Sequence, residues 1–416
     1  MKLALIGNAC VEAFAGGVEV VLAAQARELR RRGHSVRLIV GSTDPAHRDG
    51  ELGRGDDGLE LLRIALDPQE EGVERRPRVA RLVEEGVRGF DLVHVHHTAR
   101  LSDDLVPRLA QHLPVVLGLH DHHSSCPRSF RAAPVGECPP AAPDERCTAC
   151  VAAWIGVAAD GELAARLLDR WRAARRGVQC AARVVVPSQH LRESLARELE
   201  LDGAAWECVP HGLCRDLGAP EREAAPGAPL TVLSFGNRTD SKGTADLVRA
   251  LAGLPAGSAR LLLAGAEVRP GFDAELRALA GPLELEVHGA YDGPGLEALA
   301  ARADLAAFPS RAAESYGLVV EEALALGLST WVSDRGALGE VLEECCAPNA
   351  PAGRVLPAGD VEAWRRAFAT LVEDPRRLQD ERARLPRVQR DASLAVDRLL
   401  ELYSEVLRAR DPRLSA

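Results

Sequence analysis

Residues 308–322 read FPSRAAESYGLVVEE, and ALALGLSTWVSD follows at 323–334. An apolar run ending at Phe308 stops at Pro309-Ser310, passes an acidic loop and enters a helical pattern whose first turn carries Gly317. That order is a strand, a loop and a helix N-terminus. Glu314 and Glu322 stand eight positions apart, one in the loop and one inside the helix. The amides near Gly317 and Leu318 suit a phosphate, because the first N–H groups of a helix lack intrahelical partners. The geometry predicts a polar, anionic ligand such as a nucleotide-sugar. The plainer alternative is a solvated helix start whose acids answer the helix dipole.

Outward from this stretch, strand-like runs alternate with helical ones along the chain. In the first half, strands are expected over 2–6, 35–40, 59–64, 92–95, 115–119, 183–186 and 207–209, and helices over 18–32, 74–88, 101–112, 161–180 and 188–199. A Gly-, Pro- and charge-rich break at 212–229 reads as a linker. The alternation resumes with strands over 230–235, 260–263, 285–288, 305–308, 330–333 and 354–356. Helices fit between and after them at 244–252, 272–280, 295–302, 316–326, 338–343 and 361–373, with a last helix over 393–408. Apolar strands separated by helices imply βαβ units and parallel sheets. The fold class is therefore α/β, with two Rossmann-like doubly wound domains facing across a cleft, and ligands are expected at the carboxyl ends of the strands. The domain reading is 1–212, a linker at 213–229, a second domain at 230–390 and a C-terminal helix in 391–416, which either domain could receive.

Composition agrees with that size and class. A chain of 416 residues exceeds one ordinary core, and 46% hydrophobic with 27% charged residues is typical of globular proteins. A net charge of −10 gives no global footprint for nucleic acid, so no such partner is expected. The start, MKLALIGN, lacks the length and flanks of a signal peptide, and no run of about 18 apolar residues occurs, so a cytoplasmic location is expected. Basic residues are almost all Arg, and Lys occurs only at Lys2 and Lys242. A lysine kept in the Gly-flanked turn at 242 points to a chemical need.

Three further stretches carry chemistry. Ala15-Gly16-Gly17-Val18-Glu19 follows the first strand, and paired glycines let backbone amides approach a phosphate or a sugar. The spacing is not G-x-G-x-x-G, and Gly41-Ser42-Thr43 replaces the acid expected at the end of the second strand, which disfavours a nicotinamide enzyme. Leu119-His120-Asp121-His122-His123 ends the fifth strand. There His120 either donates to a substrate hydroxyl or relays a proton, with a metal site or a hydrogen-bonded loop as alternatives. In Phe235-Gly236-Asn237-Arg238-Thr239-Asp240-Ser241-Lys242-Gly243, two cations beside a helix start form a site for a diphosphate and would stabilise charge on a departing nucleoside diphosphate.

GGVE at 16–19, RRGHSV at 31–36, HD at 120–121, VVPSQHLRESL at 185–195, FGNRTDSKG at 235–243 and the E-x7-E of Glu314 and Glu322 occur in one order over nearly the whole chain. The set resembles the retaining GT-B glycosyltransferases of family 4, the glycosyl transferases group 1 type. The resemblance implies that Arg238 and Lys242 grip the donor diphosphate, Glu322 the ribose and Glu314 the hydroxyls of the transferred sugar. It further implies phosphate contacts from the Gly317 and Leu318 amides, a cleft wall at Gly16 and Gly17, and His120 beside the reacting sugar. The implied chemistry is a front-face displacement with retention that needs no metal. The implied partners are a nucleotide-sugar donor and a glycan, lipid or small-molecule acceptor. The chain departs from the family at Gly327-Leu328-Ser329, where Gly-Leu-Pro is usual, and at Gly336-Ala337-Leu338-Gly339-Glu340, where a glycine pair is common. The competing readings are a GT-B nucleotide-sugar epimerase or phosphorylase and a non-catalytic nucleotide-sugar-binding protein.

Two features stand apart. Cys126, Cys138, Cys147 and Cys150 lie in a Pro-rich loop at 121–150, and four thiols there suit either one structural zinc or free cysteines. The helix over 161–180 carries Arg166, Arg170, Arg172, Arg175 and Arg176 beside Leu163, Leu167, Leu168 and Trp171. This basic amphipathic face predicts either peripheral contact with anionic lipid at the inner membrane face or with a phosphorylated acceptor, or else a half-buried helix with a solvated side.

Overall fold

A computed structural model describes the chain apart from residues 10–15, 56–57, 68–75, 132–137, 139–140, 222–227, 348–349, 387–389 and 411–416. The chain divides into two compact units, Met1–Cys214 with Asp391–Ala416, and Arg215–Arg390.

The first unit is built on strands β1 (Lys2–Gly7), β2 (Ser35–Ser42), β3 (Glu51–Arg54), β4 (Glu60–Ala65), β5 (Leu92–Val95), β6 (Val115–Gly118), β7 (Arg183–Val186) and β8 (Glu207–Cys208). Their order is β3-β4-β2-β1-β5-β6-β7-β8, parallel throughout except that β3 runs antiparallel to β4. Helices α1 (Gly17–Arg31), α2 (Pro77–Gly86), α3 (Leu105–Leu109), α4 (Glu145–Ile155), α5 (Gly161–Cys180) and α6 (Gln189–Glu198) join the strands. Central strands such as LVHV in β5 are buried along their whole length, as parallel strands covered on both faces must be.

The second unit carries β9 (Leu230–Phe235), β10 (Ala259–Ala264), β11 (Glu284–Val287), β12 (Leu305–Phe308), β13 (Ser329–Ser333) and β14 (Gly353–Leu356) in the order β11-β10-β9-β12-β13-β14, all parallel. Its helices are α7 (Thr244–Ala252), α8 (Phe272–Ala280), α9 (Gly293–Ala301), α10 (Leu318–Ala325), α11 (Leu338–Cys345), α12 (Val361–Glu373) and α13 (Arg376–Arg382). The order of each sheet reverses at its first strand, β1 or β9, and such a switch point opens a crevice at the carboxyl ends of the strands. The last helix, α14 (Ala392–Arg410), returns to the first unit, where Val396, Leu399, Leu402 and Tyr403 share a core with Leu3, Leu5, Leu22 and Leu29.

Local chemistry moves several boundaries from those the sequence predicts. The helix expected over 101–112 shortens to α3, and edge strand β3 has only Leu52 as an apolar residue, itself exposed, so no pattern announces it. The stretch expected as a loop through 150 contains α4, because the Asp144 carboxylate accepts from the Arg146 and Cys147 amides and starts a helix that Gly156 ends in the left-handed region. Helix α10 begins at Leu318, since Gly317 has φ +101° and lies outside helical space.

Candidate functional site

In the second unit the loops after β9 and β12 are stitched together. Arg311 and Ala312 amides donate to the Ser241 carbonyl at 2.8 and 3.0 Å, and Gly243, at φ +69°, sits so close that a Cβ would fall 2.0 Å from the Pro309 oxygen. This contact carries Lys242 to Glu314. Lys242 Nζ donates to both carboxylate oxygens at 2.7 and 2.8 Å, and Ser310 Oγ donates to Glu314 Oε1 at 2.6 Å. The residues that spread the glycines after β13 support the same acid from behind. The Ala337 amide donates to the Glu314 carbonyl at 2.8 Å, and a Cβ on Gly336, at φ +73°, would meet the Glu314 amide nitrogen at 2.2 Å. Gly317 then caps α10, leaving the amides of its first turn at the same end of the sheet.

The other two predicted donor residues of this unit are placed differently. Arg238 is 4% exposed and turns into the protein. Its Nε and Nη2 grip Asp273 at 2.6 and 2.7 Å, and Nη1 donates to the Gly265 and His288 carbonyls at 2.6 and 2.9 Å. Four of the five N–H donors of this guanidinium are thereby used within the unit. Glu322 is buried and paired through Oε1 with Arg215 Nε at 2.8 Å. Burial raises its pKa, and Arg215 pulls it back. The neighbouring Glu321 is pushed up to about 7, chiefly by burial, with the Tyr316 hydroxyl donating to it at 2.8 Å and Arg390 Nε at 3.7 Å opposing the shift.

In the first unit, Gly16 caps α1 and Gly17 opens it, while the preceding part of their loop lies outside the described residues. His120 lies in a line of buried rings. Its Nε2 is 3.0 Å from His96 Nδ1 and its Nδ1 is 3.3 Å from His211 Nε2, while His94 Nδ1 is 2.6 Å from the Tyr403 hydroxyl. Gly118 leaves the room: a Cβ there would lie 3.0 Å from His120 Nε2 and 3.2 Å from His94 Nε2. Burial lowers the pKa of each, that of His94 and His211 to about 3. The Nε2 atoms of His94 and His96 are buried without a hydrogen-bond partner. An orphaned N–H costs more than an orphaned lone pair, so both rings carry their proton on Nδ1. His96 therefore donates to His120, and His120 to His211.

Sequence reasoning passed over a second set beside this line. His97 Nε2 is 3.3 Å from Asp121 Oδ2 and its ring lies 4.6 Å from that of His123. Burial opposes charge on His97, but Asp121 and Glu19 outweigh it and raise its pKa. Glu19 of the GGVE motif is itself buried and raised, and Asp121 is driven below the ordinary carboxylate range by His97 despite burial. The signal was present in VHVHH at 93–97, whose last two histidines extend past β5 to the carboxyl end of the sheet.

The zinc expected at the four cysteines falls in a loop of which 132–137 and 139–140 lie outside the described residues. Among the described residues no three His, Cys, Asp or Glu side chains are placed to hold a metal ion. Arg128 Nη1 lies 2.9 Å from Cys150 Sγ. The arginines of α5 are also largely used internally. Arg170 is buried against the His123 carbonyl and Asp103, Arg175 bonds Glu200 at 3.0 Å and covers Trp171, and Arg172 faces Asp169. The helix presents fewer free cations than its sequence promises. Among the described residues no helix is long and apolar enough to cross a membrane.

Residues 15–216 match Glycosyltransferase Family 4, and residues 229–374 match Glycosyl transferases group 1. The chain belongs to glycosyltransferase family 4. Within the family it is 30% identical over 223 residues to the phosphatidyl-myo-inositol mannosyltransferase of Mycobacterium leprae, a match covering 51% of this chain and 57% of that one. The corresponding mannosyltransferase of Mycolicibacterium smegmatis is 30% identical over 189 residues, 43% of this chain and 47% of that one. The chain spans about half the length of the curated relatives it matches. Solved structures share the GT-B fold over far more of it. A sucrose-phosphate synthase from Thermosynechococcus elongatus superposes with a TM-score of 0.72 at 19% identity, covering 98% of this chain and 100% of that one. Anabaena HepE in complex with UDP and glucose gives 0.66 at 16% identity over 97% and 100%.

Proposed function

We propose that this family 4 protein transfers a sugar from a nucleoside diphosphate sugar to an acceptor, with retention of configuration at the anomeric carbon. The observation that carries the reading is the pair Lys242 and Glu314, held together with Ser310 at the carboxyl end of the second sheet and beside the α10 N-terminus. In the resting protein the two neutralise each other. A bound donor would divide them, with Lys242 and the Gly317 and Leu318 amides turning to the diphosphate and Glu314 to the hydroxyls of the sugar. Fixed cations and amides stabilise the negative charge that grows on the leaving diphosphate. A leaving phosphate oxygen then takes the acceptor proton as the acceptor oxygen attacks from the same face.

Arg238 serves this site from behind in the present arrangement: tied to Asp273 and two carbonyls, it fixes the loop that carries Lys242. The proposal assigns no metal to the diphosphate. The structures of HepE with UDP-glucose make UDP the first nucleotide to try, and the mannosyltransferase relatives point to a polyol or lipid-linked acceptor. The alternatives of an epimerase, a phosphorylase or a silent binding protein gain no support from these relatives.

Thermal-shift screening with UDP, GDP, ADP and TDP, and then with their sugars, tests the reading. One diphosphate is expected to raise the unfolding temperature. The matching sugar nucleotide should release it only when an acceptor is added, unchanged by a chelator, with the product anomer read by NMR. Release with no acceptor requirement, or no stabilisation by any of the four, sinks it.

A further inference from the structure

The second unit begins at Arg215 and ends at Arg390, and each of these arginines pairs with one of two consecutive glutamates on α10. Arg215 Nε lies 2.8 Å from Glu322 Oε1, with side-chain exposures of 26% and 6%. The guanidinium also sits over the ring of Tyr291, 5.7 Å from its centroid, which limits where it can go. Tyr291 enters from the loop between β11 and α9, so three separate segments converge on the Glu322 carboxylate.

A carboxylate buried this deeply, without a cation, takes up a proton. The protonated acid has an O–H of its own and loses acceptor capacity, whereas vicinal ribose hydroxyls need acceptors. Arg215 is the counter-charge that keeps Glu322 an acceptor. Among the described residues the other titratable groups that interact with Glu322 are Tyr291 and Glu321, and neither supplies positive charge. Arg390, the other cation nearby, is spent on Glu321, Glu344 at 3.0 Å and the Tyr316 hydroxyl at 3.3 Å.

We propose that Arg215 is a positioning residue for the donor nucleotide, holding the Glu322 carboxylate in the orientation that accepts the ribose hydroxyls. The inference rests on the donor site proposed above and adds a residue that no motif of the sequence includes. It also ties nucleotide recognition to the point where the chain enters the second unit.

Calorimetric titration with UDP, GDP and ADP and their 2′,3′-dideoxy forms, at pH 6.5 and 8.5, tests it. For whichever diphosphate the wild type binds, Arg215→Ala should weaken the ribose form at least ten-fold at pH 6.5. Part of that loss should return at pH 8.5, since a Glu322 without its cation is more fully ionised at the higher pH, and the dideoxy form should bind wild type and variant equally. Glu322→Gln should lose the same affinity at both pH values, and adding Arg215→Ala to it should cost nothing more. Arg215→Lys should restore part of the binding, and it provides the comparison should the alanine variant fold poorly. Equal losses for ribose and dideoxy forms, or a loss independent of pH, overturn the role of Arg215 and leave the donor site standing. A wild type that binds none of the three diphosphates and no TDP overturns both, and one that binds TDP alone overturns the role of Arg215 and leaves the donor site standing.

Discussion

The two units answer the same problem with opposite electrostatics. Both are sheets of parallel strands, but for the edge strand β3, with polar groups gathered around β5 and β6 in the first and after β9 and β12 in the second. The first unit gathers His94, His96, His120 and His211, rings that burial keeps neutral, with His96, His120 and His211 within hydrogen-bond distance in turn. The second gathers full charges and cancels them locally, Lys242 with Glu314, Arg238 with Asp273, Arg215 with Glu322. Neutral rings leave the interior at these strand ends without a fixed charge. Cancelled pairs hold cations and acids ready to be divided by a diphosphate. The difference teaches that a shared fold fixes where ligands bind, while the residues at the strand ends fix which charge is welcome there.

Acidification separates the units most strongly. The four neutral rings refuse protons that the unfolded chain accepts below about 6.5, so the stability they contribute at pH 7 is lost progressively as pH falls below that value. From pH 6.5 to 5 the loss is on the order of 2 kcal/mol for each histidine that must stay neutral. Hydrogen exchange should show the β5 and β6 amides losing protection over this range before those of α10 do. Protection that stays level down to pH 5 breaks the contrast.

Lys242→Ala tests the paired charges of the second unit. Transfer should fall roughly 100- to 1000-fold, as when one preorganised donor to a developing charge is removed, with the unfolding temperature nearly unchanged. Activity near that of the wild type would mean that the cancelled pair is only structural.

Glu321 gives the second unit a pH response of opposite sign. With its pKa raised to about 7 from an ordinary 4.5, its contribution is full below 4.5 and declines as pH rises through 7. Glu321→Gln should therefore stabilise the protein at pH 8 by up to about 3 kcal/mol and by almost nothing at pH 4.5. Denaturant melts of both proteins at the two pH values decide it. An equal effect at both would assign Glu321 a packing role.

The smallest effect belongs to the first unit. Tyr403→Phe removes the partner of His94 Nδ1 and should cost about 1 kcal/mol, or 1–3 kcal/mol if the ring nitrogen is left dry. A neutral variant would mean that the line of rings does not need its end fixed.

The alternation of apolar runs and helical patterns was enough to read two α/β domains, because parallel strands buried on both faces are continuous and apolar. Capping chemistry was local too, so Gly161–Cys180 and Val361–Glu373 stand where the sequence puts them. Edge strand β3 and helix α4 were not legible, the first because an edge buries little and the second because prolines around it hid its Asp144 cap. The stretch at 308–322 by itself determined a strand, a loop and a helix start with two acids in reach of one ligand. Only the tertiary structure decided whom each group meets: Lys242 with Glu314 across 72 positions, Arg238 with Asp273 instead of open solvent, and Glu322 with Arg215 from the far end of the unit. Sequence fixes the local propensity and charge of each residue. Partners are chosen by which loops the sheet order brings side by side, and that is a property of the folded chain.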